Sequence, residues 1–318
     1  MDIIQQIVSG DVRTIARILR DIDDELPSSR DILKELYPHT GKAHIIGFTG
    51  SPGVGKSTVV DQITTVCRKE SKTVGILAVD PTSPFTGGAI LGDRIRMQRH
   101  FLDPGVFIRS LATRGHFGGL SKSANDMVNV LDAAGKDVIL VETVGVGQDE
   151  VEIANNAHTT ILVTIPGMGD DVQAIKAGIM EIGDIFVVNK ADREGSRKTV
   201  RELMNLIEIG LRRRNGEDWE PQIVETEAAK GRGIDKLYET IEKHRAYLQA
   251  TGSQKWRGAV EKRTRIQLLG ALRDRAFKAV LEKIEQRGES IDEMVRRIVD
   301  RESDPYTVVQ QIVDKGLS

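Results

Sequence analysis

Gly50-Ser-Pro-Gly-Val-Gly55-Lys56-Ser57 carries the spacing G-x-x-x-x-G-K-S, a loop built to hold phosphate. Glycines there let successive backbone N–H groups converge on an anion without Cβ atoms in the way, at the positive end of the helix that follows. Lys56 is placed to reach the outer phosphates of a nucleotide, and the Ser57 hydroxyl to ligate Mg2+. The candidate cradle is Gly50, Ser51, Pro52, Gly53, Val54, Gly55, Lys56, Ser57 and Thr58. The plainer alternative is a glycine turn that merely resembles the motif; a strand before it and a helix after it argue otherwise.

Asn189-Lys190-Ala191-Asp192 has the form N-K-x-D at the end of an apolar strand. Guanine presents two adjacent donors, N1–H and the 2-amino group, and the Asp192 carboxylate can accept both at once. Adenine would leave that carboxylate without its donors, which is how a site rejects an analogue. By itself the motif could equally be a helix-start turn with Asp192 as its cap. A third segment, Glu225-Thr-Glu227-Ala228-Ala229-Lys-Gly231, follows the last strand, where the Ala228 N–H is expected to meet guanine O6 with Glu227 and Ala229 beside it.

Between these lies Val138-Ile-Leu-Val-Glu142-Thr-Val-Gly145, an apolar strand closed by a carboxylate. That is the place of a Mg2+ holder, usually acting through water, and Gly145 would offer its N–H to the γ-phosphate. Many GTPases carry Asp-x-x-Gly here; this chain has Glu. An ordinary strand-end charge is the alternative. Asp80 closes another strand and opens a loop rich in hydroxyl and glycine residues that contains Asp93, a candidate switch. Asp80 and Asp93 are candidates for the outer metal shell. Pro166-Gly-Met-Gly-Asp170-Asp171 through Lys176 suggests a third mobile segment, although two acids at a helix start explain it nearly as well. The residues assign no role to a further loop, Arg114-Gly-His116-Phe-Gly-Gly119.

Positioning these groups requires a particular scaffold. Apolar runs at His44–Thr49, Val74–Val79, Val106–Ser110, Val138–Glu142, Thr160–Ile165, Ile185–Asn189 and Gln222–Glu225 are mostly continuous, as in strands buried on both faces. Helical stretches Lys56–Glu70, Ser123–Ala134, Val172–Met180 and Arg197–Arg213 separate them. The pattern is α/β: a doubly wound, mostly parallel sheet. Three regions are expected: N-terminal helices over 1–42, a nucleotide domain over 43–250 and a helical arm over 251–318. In the first, Ile3, Ile7, Ile15, Ile18, Leu19 and Ile22 recur at helical spacing and Ser29 is expected to cap a helix through Leu36. In the last, Leu269, Leu272, Phe277, Val280, Leu281 and Ile284 mark one apolar stripe, and Ser290 with Glu293 forms a capping box. So thin an arm is expected to lack a core of its own and to pack on the sheet domain or on a second copy of the chain; the stripe favours the second copy.

Composition is that of an ordinary globular protein, with 39% hydrophobic and 29% charged residues and a formal net charge of −2, so no nucleic-acid surface is advertised. The one cysteine, Cys67, excludes an internal disulfide and a cysteine-based metal site. It is expected in the core. No apolar run is long enough to span a bilayer, the N-terminus is too acidic for a targeting peptide, and a cytoplasmic protein is expected. The histidines are scattered and are expected to be structural or on the surface.

With these residues assembled, the chain resembles the MeaB/ArgK family of P-loop GTPases, relatives of the GTPases that insert metals into enzymes. The resemblance rests on GFTGSPGVGKST, VDPTSPFTGGAILGDRIRM, TRGHFGGLS, VETVGVGQDE, GDDVQAIKAG and VNKAD, and extends over essentially the whole chain. It implies a homodimer joined largely through C-terminal helices, which chaperones cobalamin-dependent methylmalonyl-CoA mutase by overseeing delivery of intact adenosylcobalamin; an adenosyltransferase is a further possible partner. The human relative is the methylmalonic aciduria type A protein. The resemblance further implies that Lys56 and Ser57 bind phosphate and Mg2+, that Asp80, Asp93 and Glu142 surround the metal, and that Lys176 lies in a third switch. Relatives have also been labelled lysine/arginine/ornithine transport kinases or ATPases. That function is one alternative, disfavoured by Asn-Lys-Ala-Asp; a metal-inserting GTPase is another. Val146 stands where Ras-like proteins have the glutamine that orients the attacking water. Slow unaided hydrolysis is therefore expected, with a partner completing the site by repositioning Asp93 or Lys176; these two and Lys56 are the catalytic candidates.

Overall fold

Strands β1 (His44–Thr49), β4 (Val138–Glu142), β5 (Thr159–Thr164) and β6 (Ile185–Asn189) are buried at every residue, which is why their middles are continuous apolar runs with polar residues only at the strand ends. With β2 (Val74–Asp80), β3 (Val106–Ala112) and β7 (Gln222–Thr226) they form one seven-stranded parallel sheet in the order β3-β2-β4-β1-β5-β6-β7. At the edge, β7 is buried only at alternate positions toward its end. The computed structural model describes residues 2–80, 97–112, 122–143, 156–167, 183–211, 219–250, 254–286 and 288–317. The expected helix Val172–Met180, with Lys176, and the segments that hold Asp93, His116, Gly145 and Val146 lie outside them.

Helices cover both faces. On one, α1 (Ile3–Val8), α2 (Val12–Asp23), α3 (Ser28–Leu36) and α5 (Lys122–Ala133) share a core with Ile45, Leu77 and Ile139 of the sheet. On the other, α4 (Lys56–Lys69) and α7 (Ile234–Ala250) pack against Ile46, Phe48, Leu140, Val163 and Val187. Leu203 and Ile207 of α6 (Ser196–Leu211) meet Leu162, Phe186 and Val188. Cys67 is buried among the α4 contacts, as expected, and burial raises its thiol pKa to about 12.

The N-terminal helices are bound into the sheet unit. The Asp132 carboxylate accepts from the backbone N–H groups of Gly41, Lys42 and Ala43 at 2.6–3.0 Å, fixing the segment that leads into β1. Asp11 caps α2 through the Thr14 N–H. Ser29 is not a cap. The helix begins at Ser28, and the Ser29 hydroxyl donates back to the Leu26 carbonyl, so it occupies the first turn.

Residues 1–263 form one compact unit and 264–318 another. In the second, Val280, Leu281 and Ile284 of α8 (Gln254–Gln286) cluster with Met294 and Ile298 of α9 (Ile291–Val299) and Val308 and Ile312 of α10 (Pro305–Leu317). The arm thus has a small core of its own, contrary to expectation, because three helices each contribute a short apolar edge. Ser290 caps α9 through the Glu293 N–H as the capping box requires. Leu269, Leu272 and Phe277 stay exposed.

At the N-terminal edge of the sheet a buried polar chain runs from His44 Nε2 to Thr159 Oγ1 (2.8 Å) and on to His244 Nδ1 (2.9 Å). Trp256 lies over His158, with ring centroids 4.2 Å apart, and Trp219 over His244 at 4.7 Å. These histidines are structural, and burial lowers the pKa of each.

Candidate functional site

The order of strands reverses direction at β1: the chain leaves it for β2 and β3 on one side, returns to β4, then crosses to β5 on the other. In open parallel sheets ligands bind beyond the carboxyl ends of the strands at such a reversal. The glycine loop after β1 lies there. Gly50, Gly53 and Gly55 all have positive φ. At Gly50 a Cβ would collide with the Val163 carbonyl, and at Gly55, with φ of 95°, it would sit 2.6 Å from Asn189 Nδ2. Glycine is required at both.

Lys56 opens α4 and its side chain folds over the loop, where Nζ donates to the carbonyls of Gly50 (2.5 Å) and Ser51 (3.1 Å). Ser57 Oγ donates to Glu142 Oε1 at 2.7 Å, and both residues are buried. Glu142 ends β4, held between Phe48 of β1 and Ala78 of β2. A hydroxyl and a carboxylate oxygen side by side, next to a phosphate cradle, form the hard-oxygen donor set that suits Mg2+, so these residues fit that ion. The backbone of Asp80 ends β2, opposite Ala112 of β3. Among the described residues no group of three or more His, Cys, Asp or Glu forms a metal site.

The second motif adjoins the first. Asn189, the last residue of β6, is almost completely buried. Its Nδ2 donates to the Val54 carbonyl at 2.9 Å, while its Oδ1 accepts from Thr226 Oγ1 and the Ala228 N–H, both at 3.1 Å. One amide side chain thus joins the glycine loop, the end of β7 and the turn Ala228–Lys230. Lys190, at φ of 55°, extends Nζ to the Gly53 carbonyl at 2.8 Å. The Ala228 N–H, expected to face a purine carbonyl, is turned onto Asn189 in this structure.

Asp192 is half exposed and is not a helix cap, since α6 starts only at Ser196. Its Oδ2 accepts from Lys230 Nζ at 2.9 Å, and the same ammonium donates to Glu227 Oε2 at 2.8 Å. Lys230 lowers the pKa of both carboxyls. Its own is raised, chiefly by Glu227 and then by Asp192. Sequence reasoning singled out Glu227 and Ala229 but missed Lys230, although its place three residues after Glu227 was a usable signal for an ion pair.

Another missed contact anchors the chain beyond residues 81–96. Arg99 binds the Asp61 carboxylate of α4 with two nitrogens, and His100 Nε2 lies 3.1 Å from it. Nothing in the spacing of Asp61 and Arg99 announces this pairing.

Comparison with known proteins agrees with this geometry. Residues 15–285 match the family described as "Methylmalonyl Co-A mutase-associated GTPase MeaB". A protein of Pyrococcus horikoshii named as a GTPase is 46% identical over 316 residues, covering 99% of this chain and 97% of its own. The GTPase ArgK of Escherichia coli strain K12 is 36% identical over 254 residues, covering 78% and 77%. Among solved structures, one described as an LAO/AO transport system kinase superposes with a TM-score of 0.70 at 26% identity, covering 99% of this chain and 97% of that one.

Proposed function

This chain belongs to the MeaB family of methylmalonyl-CoA mutase-associated GTPases, and on that premise we propose that it is a GTP-driven chaperone for a cobalamin-dependent mutase. The observation that carries the nucleotide half of this reading is Asn189. Its bonds to Val54, Thr226 and Ala228 hold the base-reading loops against the phosphate loop, so that one nucleoside phosphate can touch both.

In this reading Asp192 accepts the two donors of guanine, and Asn189, Lys190, Glu227, Ala228 and Ala229 shape the base pocket. Residues 50–58 wrap the phosphates. Lys56 moves from the Gly50 and Ser51 carbonyls onto the β- and γ-phosphate oxygens, exchanging neutral acceptors for charged ones. Ser57 and Glu142 would hold Mg2+, which would neutralise charge on the transferring phosphoryl group. Asp80 and Asp93 would help to hold the ion, Gly145 would offer its N–H to the γ-phosphate, and Lys176 would serve a switch that reports nucleotide state. Phosphoryl transfer needs positioning and charge stabilisation more than covalent chemistry, and the glycine loop with the buried Lys56 and Ser57 is suited to both. With Val146 unable to orient water, unaided hydrolysis is slow until a partner completes the site. Two copies join through the C-terminal helices, consistent with the exposed Leu269, Leu272 and Phe277.

Co-purification with a cobalamin mutase, first with GDP and then with a non-hydrolysable GTP analogue, tests the partner: capture should depend on which nucleotide is present. Single-turnover hydrolysis with and without mutase tests activation, and equal rates would defeat it. Preferential retention of adenine nucleotides would overturn the reading in favour of a transport-linked ATPase.

A further inference from the structure

We propose that Lys230 is a specificity-determining positioning residue, an ammonium strut that holds the Asp192 carboxylate in the orientation that reads the guanine 2-amino group. The inference rests on the reading of Asp192 as the base-recognition carboxylate. Two carboxylates, Asp192 and Glu227, stand on neighbouring loops at the base end of the site. Lys230 Nζ bridges them, 2.9 Å from Asp192 Oδ2 and 2.8 Å from Glu227 Oε2. Arg232 also reaches Glu227, at 3.4 Å. Without the ammonium the two anions would repel each other and Asp192 would turn toward water.

The strut does not use up the carboxylate. An ionised carboxylate has about four lone-pair sites. Lys230 takes one on Oδ2, leaving a site on each oxygen for the paired donors of guanine. As a contribution to fold stability an exposed pair of this kind is small, because water screens it. Its effect falls on geometry, since a bidentate pair needs both oxygens in one plane with the base while a single hydrogen bond tolerates a turned carboxylate. Loss of the strut therefore weakens guanine, which uses both donors, more than hypoxanthine, which has only N1–H.

The test uses the full-length chain and competition against a fluorescent GDP to obtain dissociation constants for GDP and IDP. Lys230→Gln should weaken GDP by roughly five- to tenfold and IDP by about twofold or less, lowering the GDP preference by about 2.5-fold or more. Lys230→Arg should restore the preference. The acid limb of GDP binding should also move to higher pH in Lys230→Gln. Lys230, and after it Arg193, favours the ionised form of Asp192, while Lys230 and Arg232 favour that of Glu227. Removing Lys230 leaves the balance less favourable to the ion. An unchanged IDP-to-GDP ratio, or tighter GDP binding, in Lys230→Gln overturns the proposal. Asp192→Asn separates the two levels. If it leaves the ratio intact, the base pocket itself is misplaced; if it abolishes the ratio while Lys230→Gln does not, only the strut is wrong.

Discussion

Asn189→Asp changes one buried atom and asks whether the amide between the two loops holds the site together. The side chain keeps its shape, so no cavity opens. The acceptor role toward Thr226 and Ala228 is kept and even strengthened by charge, but the donor to the Val54 carbonyl is lost and an oxygen faces an oxygen across 2.9 Å. Leaving a buried carbonyl unsatisfied costs about 1–3 kcal/mol. Burial of the new charge adds to this, partly offset by its two donors, for a total of about 3 kcal/mol at pH 7.5. Burial and the facing carbonyl raise the folded-state pKa of the introduced carboxyl above its unfolded value, so the penalty grows as pH rises between the two. Below that window the protonated acid can donate to Val54 and restore the missing bond. Urea unfolding followed by Trp219 and Trp256, which both lie in the sheet unit, should show the deficit shrinking to about 1 kcal/mol at pH 5. GDP affinity at pH 7.5 should fall at least about tenfold, since the loops lose their common anchor. A variant within about 0.5 kcal/mol of the parent at both pH values, with GDP affinity intact, would refute the reasoning, because a change that small is typical of an uninvolved surface position.

Asp192→Asn should weaken GTP and favour xanthosine triphosphate, whose C2 oxygen suits an amide donor; competition binding measures the switch, and unchanged GTP affinity would mean the base pocket is elsewhere. Gly55→Ala places a Cβ at φ of 95° and 2.6 Å from Asn189 Nδ2, so it should cost about 1–3 kcal/mol of loop strain and show reduced GDP affinity by calorimetry. His44, His158 and His244 have folded pKa values below the unfolded 6.5, with His158 at about 3 and His244 at about 4. Their contribution is therefore complete above about pH 6.5 and lost as pH falls toward 4, at roughly 1 kcal/mol per pH unit for each histidine. Urea midpoints from pH 7 to 4.5 should fall steeply, and less so in His158→Gln.

Motifs that act through the backbone were legible without coordinates. A loop that must wrap phosphate needs glycine at Gly50 and Gly55, a strand buried on both faces must be apolar along its middle, and both demands are written locally in residue type and spacing. The parallel sheet, the glycine loop and the strand-end places of Glu142 and Asn189 follow from that, and the family membership agrees with it. Pairings between residues far apart in the chain carry no such local mark. Asp61 with Arg99, His44 with Thr159 and His244, Asp132 with the amides of residues 41–43, and Lys230 with Asp192 exist only because the strand order brings distant loops together. The same holds for the small core of the arm, where three weak apolar edges become a cluster only once their helices meet. Residue type and spacing set which chemistry the loops are suited to; folding sets which charges face one another there. Hydrogen bonds and ion pairs act over a few ångströms in space, whatever the separation along the chain.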